Sequence, residues 1–414
     1  MTVTRLTLPN EWQLLPLSEV VDIRLSNVDK KLSSNEHSVF LCNYLEVYNN
    51  EYIGNGLRFS EGTATPAEIA RFGLKEGDVI ITKDSETRED IAKAAVVTEN
   101  ISRLVCGYHL AVLRPNRQWV VGRYLKESLQ VPEVRAQFIN GANGVTRYGL
   151  TQSVIQNALV PVPPLPEQRQ IAAILGSWDE AIRLTADLIA AKQQRKKGLM
   201  QRLLSGEVRF PGFEGRAWRE FALKDICLSM ESGGTPSRSV AEFWQGTIPW
   251  ITGADFGELK VAQVRRYISA SAVEGSATKV IPKGGLLLVT RTGVGKLAVA
   301  PFEIAISQDI TGLIPDTKLV RADYLVYALA WTVPELSRFN QGTSINGVTR
   351  KALESHALKL PSLQEQAKLS TLFAACDQEL DLLQQKLAAL QQQKKGLMQQ
   401  LLTGRVRVKT TDDG

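Results

Sequence analysis

Few residue groups in this 414-residue chain have the types and spacing that chemistry requires. GVGKLA from Gly293 fits GxGxxA after the apolar run LLLVT, the outline of a dinucleotide-binding turn. Such a turn needs a helix behind its glycines, so that the helix N-terminus faces the pyrophosphate. Here LAVAPFEIAI continues in a strand-like pattern, so a glycine hairpin is expected instead. A P-loop is excluded too, because Thr290 stands where glycine is required and Leu297 where serine or threonine is. His37, His109 and His356 are isolated, and neither HExxH nor a GxSxG elbow occurs. Asp78, Asp84, Glu86, Glu89 and Asp90 cluster after a strand-like run, where solvated turn charge explains them better than a metal site. Cys42, Cys106, Cys227 and Cys376 show no CxxC spacing, so no zinc set forms and a reducing cytosol fits best. No NPPF-type methyltransferase motif and no nuclease site are found.

The bulk numbers are compatible with a binding role. Forty-nine basic against 43 acidic residues give a net charge of +6 and a pI near 9, which permits a polyanionic partner. A hydrophobic content of 44% with 22% charged residues describes a globular chain with room for two or three domains. The N-terminus lacks a basic segment followed by an apolar core, and no run approaches eighteen apolar residues. Neither export nor a membrane span is expected.

The elements that must position any site are organised by a repeat. The segment at residues 163–210 recurs without a gap at 361–408: LPEQ at Leu165 falls on LQEQ at Leu363, Asp179 on Asp377, and KKGLMQ at Lys196 on KKGLMQ at Lys394. Each copy opens with proline before a Glu-Gln pair and closes at a glycine, Gly206 or Gly404, the signals of a helix start and stop. In the second copy Leu369, Phe373, Cys376, Leu380, Leu383, Leu387, Leu390, Leu397 and Leu401 step by fours and threes, interrupted by Lys394. That is a heptad seam. The first copy keeps the phase with Ile171, Leu175, Trp178, Ile182, Ile189, Leu199 and Leu203, but carries Thr185, Lys192 and Lys196 on the seam. Each predicted helix is a rod of about 57–60 Å, too long to bury its stripe on one small domain, so the other copy is the expected partner.

Ahead of each rod lies a mixed α/β domain. In the first, entered at EWQLLPLSEVVDIRL, the runs VFLCNYLEV from Val39, DVIITK from Asp78, AAVVT from Ala94 and YHLAVLRP from Tyr108 read as strands, with helical pieces after Trp119. The second repeats the landmarks. Trp218, Leu223 and Ile226 echo Trp12, Leu17 and Val20; KGGLLLVTR from Lys283 echoes KEGDVIITK from Lys75; and NGVTRKAL from Asn346 echoes NGVTRYGL from Asn143. The expected organisation is a domain at 1–162, a helical spacer at 163–206, a domain at 207–360, a second spacer at 361–405 and a tail at 406–414. Short links between rod and domain favour an antiparallel rod pair, with the two domains at opposite rod ends. In that register Lys196 should meet Asp377, and Lys394 should meet Asp179.

With PPLPEQ before the first long helix, KKGLMQRLLSGEVRFPGF and KKGLMQQLLTGRVRV closing the two copies, and the duplicated domains, the full chain resembles the specificity subunit of type I restriction-modification enzymes. The resemblance implies two α/β (α+β) target recognition domains separated by two long helices in an antiparallel intramolecular coiled coil, with pseudo-twofold symmetry. Each domain would read half of an asymmetric, two-part sequence in double-stranded DNA, and the rods would set the unread gap. It further implies a cytoplasmic complex with two methylation subunits and two restriction subunits. Those partners, not this chain, would hold S-adenosylmethionine, ATP and magnesium, so the chain itself would not be catalytic. For such a reader, lysine and arginine serve phosphates, and arginine, asparagine, glutamine or threonine serve base edges. The candidates are Lys83, Arg88, Lys93, Asn143, Thr146, Arg147 and Tyr148 in the first domain, and Arg291, Thr292, Lys296, Asn346, Thr349 and Arg350 in the second. Sequence-specific contacts are expected in the unmatched loops around residues 27–60 and 229–260. The alternatives are a coiled-coil scaffold whose heads bind only proteins, and an oxidoreductase, which would need a helix after Gly295.

Overall fold

The computed structural model describes residues 8–338 and 347–409. They divide into two compact units, one formed by residues 1–186 with 386–414 and the other by 187–385. Each unit therefore holds one α/β head, the start of one rod and the end of the other. The rods are single helices, Leu165–Leu204 and Leu363–Leu401.

In the first unit, Val21–Leu25, Leu110–Pro115, Val79–Thr82, Ala94–Val97 and Tyr52–Ile53 lie in that order in a five-stranded sheet. A three-stranded sheet of Ser60–Ala64, His37–Cys42 and Leu104–Cys106 accompanies it, and Gln13–Pro16 pairs with Leu159–Val162 where the chain enters and leaves the head. The central strands are apolar on both faces because each is covered twice. Val79 and Ile81 join the core that includes Trp12, Leu17 and Tyr124, while Ile80 joins a second core with Leu41 and Phe72.

The second unit repeats the order: Cys227–Ser232, Ile310–Pro315, Leu286–Val289 and Leu297–Val299 form one sheet, and Arg219–Ala222 pairs with Ala357–Leu360. The run after Gly293 is a hairpin, with Leu286 opposite Val299 and Leu288 opposite Leu297. The oxidoreductase alternative loses its required helix.

Two sequence expectations are corrected. VFLCNYLEV is a strand only to Cys42. At Asn43 a capping box opens the helix Tyr44–Asn49, its backbone N–H donating to Glu46 Oε2 at 2.9 Å. The NGVTR echo does not mark equivalent places. Thr349 caps the helix Arg350–Glu354, which leads to the strand Ala357–Leu360, but in the first head that cap is Thr151, before Gln152–Asn157 and Leu159–Val162. Thr146 sits five residues earlier, in an exposed turn.

The rods run antiparallel within each unit. In the first, Arg407 Nε donates to Glu167 Oε1 at 2.6 Å, Leu401 shares a core with Ile171 and Leu175, and Lys394 pairs with Asp179. In the second, Arg209 Nε donates to Glu365 Oε1 at 2.6 Å, Leu203 shares a core with Leu369 and Phe373, and Lys196 pairs with Asp377. Both ion pairs expected from the repeat register are present. Leu380 and Ile189 are also buried, whereas Trp178, Ile182, Leu199, Cys376, Leu383, Leu387, Leu390 and Leu397 are half-buried. Gly206 and Gly404 close the helices at φ +76° and +72°, the left-handed conformation that a C-terminal glycine supplies.

The Glu-Gln pairs do more than start helices. Gln168 accepts from Val121 N and donates to the Trp119 and Pro163 carbonyls, and Gln366 does the same with Arg321, Leu319 and Pro361. Each fully buried amide thus pins its rod to its head. Asp179 and Asp377 do likewise, accepting from the Tyr52 and Tyr327 hydroxyls, each at 2.6 Å.

Candidate nucleic-acid interface

In the first head, pairing of two short strands, Asp84–Ser85 and Tyr148–Gly149, joins segments that are far apart in sequence. Leu150 N donates to the Lys83 carbonyl at 2.8 Å. Lys83, Arg88 and Lys93 are thereby brought to the turn that carries Asn143, Thr146, Arg147 and Tyr148. The turn depends on Gly144, at φ +135°, where a Cβ would lie 1.9 Å from the Arg147 carbonyl oxygen.

Three cations lie over three aromatic rings here: Lys83 over Tyr108 at 4.9 Å, Arg88 over Tyr148 at 5.2 Å and Lys93 over Tyr48 at 5.6 Å. Tyr44 and Tyr48 stack with centroids 5.4 Å apart. Between them opens a cleft of about 440 Å³ lined by Tyr44, Tyr48, Asp84, Asp90, His109 and Arg147 among others. His109 Nδ1 lies 2.9 Å from Asp84 Oδ2, and Lys83 and Lys93 approach Asp84 and Asp90 at 3.8 and 3.9 Å. The negative charge of Asp90 holds the Tyr48 hydroxyl above its ordinary pKa. The cleft therefore offers carboxylate acceptors and aromatic faces inside a cationic rim. Asn143, Thr146 and Arg147 are exposed beside it.

In the second head the candidates divide. Arg291 and Thr292 are exposed on the hairpin turn, and Val348 N donates to the Thr290 carbonyl at 2.8 Å, so Thr349 and Arg350 lie close by. Lys296 is engaged internally, its ammonium donating to the Gly253 carbonyl at 2.9 Å. Arg350 contacts Glu354 and the Met230 carbonyl, and the Thr349 hydroxyl accepts from Ala352 N. Asn346 lies outside the described residues.

Another cleft of this head, about 600 Å³, is lined by Arg238, Trp244, Gly246, Arg265, Arg266 and Tyr267; the first three fall in the unmatched loop around 229–260 where specific contacts were expected, though none was singled out there. Its only sequence signal is the Arg-Arg-Tyr run next to a tryptophan-bearing loop without a counterpart in the other head.

Among the described residues one carboxylate group has the spacing for a metal: Glu51, Glu127 and Asp179. The ammonium of Lys126 reaches all three, at 2.7, 2.5 and 3.7 Å, and Lys394 pairs with Asp179 and Glu51. Two buried ammoniums already supply the positive charge, so the group holds a head and two rods together rather than an ion. Burial keeps the Glu127 carboxyl above its ordinary pKa against the pull of both lysines, and its Oε2 has no hydrogen-bond partner.

Among the described residues no helix is long and apolar enough to cross a membrane. Residues 9–192 and 216–392 match the family described as "Type I restriction modification DNA specificity domain". The chain is 22% identical over 433 residues to the type I restriction enzyme MjaVIII specificity subunit of Methanocaldococcus jannaschii, covering 98% of this chain and 95% of that one. It is 30% identical over 228 residues to the EcoR124I/EcoR124II specificity subunit of Escherichia coli, covering 51% and 53%. The crystal structure of a type I restriction-modification S subunit from M. genitalium has the same fold, with a TM-score of 0.60 at 15% identity over 97% of this chain and 99% of that chain.

Proposed function

The chain belongs to the type I restriction-modification DNA specificity family, and on that premise we propose that each head reads one half of an asymmetric, two-part DNA target. The rods fix the gap between the halves and dock two methylation subunits, with two restriction subunits completing a cytoplasmic complex that methylates or cleaves. S-adenosylmethionine, ATP and magnesium act in those partners, and this chain contributes recognition without bond chemistry of its own.

One observation carries the reading: the same strand order occurs twice, and each copy presents a solvent-open cleft of cations and aromatics with a different lining. A common scaffold with divergent loops is how one fold addresses two targets. Arginines and lysines at the rims suit phosphates, while polar groups inside suit base edges. Leu188 and Leu382, 43% and 58% exposed on the rods of the second unit, offer apolar surface to a docking subunit.

Co-expression with the methylation subunits and footprinting on genomic fragments tests this. Two protected patches separated by an unprotected gap are expected, with affinity falling steeply as salt rises. A complex that assembles yet protects no DNA supports the protein scaffold instead.

A further inference from the structure

The cleft lined by Arg238, Trp244, Arg265, Arg266 and Tyr267 carries chemistry that the first head's cleft lacks. The residues lining it include no acid, whereas Asp84, Glu86 and Asp90 line the other. Arg265 is spoken for: its Nε donates to Asp255 Oδ1 at 2.5 Å, and Asp255 is itself buried. Arg238 and Arg266 are exposed and have no carboxylate partner among the described residues. Their guanidinium forks remain available.

Both forks sit on rigid supports. Arg266 lies 5.8 Å over the ring of Trp250, which is buried and donates from Nε1 to the Gly234 carbonyl at 3.1 Å. Trp244 packs edge-on against Trp250 at 5.2 Å, and its Nε1 donates to the Ser237 carbonyl at 3.1 Å, anchoring the residue next to Arg238. Gly246 leaves room for the strand beneath, since a Cβ there would lie 2.0 Å from the Ile268 carbonyl oxygen. A single arginine fork also pairs with a phosphate. Two unpaired arginines held from different segments into one acid-free cleft, with Tyr267 beside them, match a planar ligand with paired acceptors. In DNA that ligand is guanine, whose O6 and N7 take an arginine fork.

We propose that Arg238 and Arg266 read guanine in the half-target assigned to the second head. This rests on the reading that each head binds a half-target. The test uses the complex with its methylation subunits. Its target is recovered by mapping methylated adenines in cells expressing the wild type, and methylation rates are then measured on duplexes substituted base by base. R238K and R266K keep the charge and lose the fork.

Each is expected to lower the rate at the wild-type site roughly 10- to 100-fold, to relax selection at a guanine, and to do so in the same half for both variants. The other half serves as an internal control for folding and should be unchanged. Lysine variants that retain the wild-type rate and selectivity would make these residues phosphate contacts and overturn the proposal. So would an effect spread over both halves, or an affected half without guanine. A wild-type complex that leaves no two-part mark would instead remove the half-target reading beneath it.

Discussion

Lys394 and Lys196 occupy equivalent places in the repeat, yet replacing each with methionine should have very different consequences. Lys394 is 8% exposed and faces Asp179, Glu51 and Glu127, with the Asp179 and Glu127 side chains 12% and 3% exposed. K394M leaves three carboxylates around Lys126 alone, the case in which a buried pair loses one member, at a cost of about 3–5 kcal/mol. K196M leaves Asp377 31% exposed and Glu258 68% exposed, and water can solvate both, so about 1 kcal/mol is expected. For a unit of about 200 residues, at roughly 2–4 °C per kcal/mol, calorimetry should show the first unit of K394M melting about 6–20 °C low. The second unit of K196M should shift by only about 2–4 °C. The pH dependence has a definite sign. Glu127 is raised above its ordinary 4.5, so between that value and its folded pKa the native state binds more protons than the unfolded one. Stability from this group therefore falls as pH rises. Removing Lys394 raises the carboxyl further, so the K394M deficit should shrink as the pH is lowered from 8 toward 5. Equal melting shifts for the two variants, or a deficit that grows on acidification in that range, would show that Lys394 does not neutralise a buried carboxylate cluster.

Three further outcomes are expected. R407A strips buried Glu167 of its two-point arginine contact and, among the described residues, leaves its carboxylate Trp12 Nε1 at 2.9 Å, so the first unit should lose about 2–3 kcal/mol in urea unfolding; an unchanged midpoint counts against that role for the contact. G144A forces strain of about 1–3 kcal/mol on an exposed turn. DNA binding by the assembled complex should weaken and the first unit should melt about 2–12 °C lower; a drop in melting without a binding defect would reassign the turn to structure. R147Q, if Arg147 meets a phosphate, should reduce the slope of log affinity against log salt by about 0.9, and an unaltered slope would exclude that contact.

The sequence announced the rods because a gapless repeat preserves register as well as type. Asp179 and Lys394, or Asp377 and Lys196, can be paired on paper once the helices are taken as antiparallel. The hairpin after Gly293 was equally legible, since strand-like alternation on both sides of the glycines leaves no room for a helix. Long-range relations were not. Nothing local announces that Asp84–Ser85 pairs with Tyr148–Gly149, or that Tyr52 and Tyr327, from a strand in one head and a helix in the other, deliver hydroxyls to equivalent aspartates. The NGVTR echo misled because a short motif survives where its surroundings differ: its threonine caps a helix in the second head, while Thr151 does so in the first. Arg238 fell inside the 229–260 loop where specific contacts were expected, but neither it nor Arg266 stood out singly, because their significance lies in the carboxylates they do not meet, which only the folded arrangement displays.

The most direct measurement exchanges the second head, residues 207–360, for that of a relative with a different target, and maps the adenines methylated by the hybrid complex. A two-part mark is expected in which one half changes to the donor's, while the other half and the gap between them are retained. A mark altered in both halves, or in neither, would contradict the assignment of one half to each head.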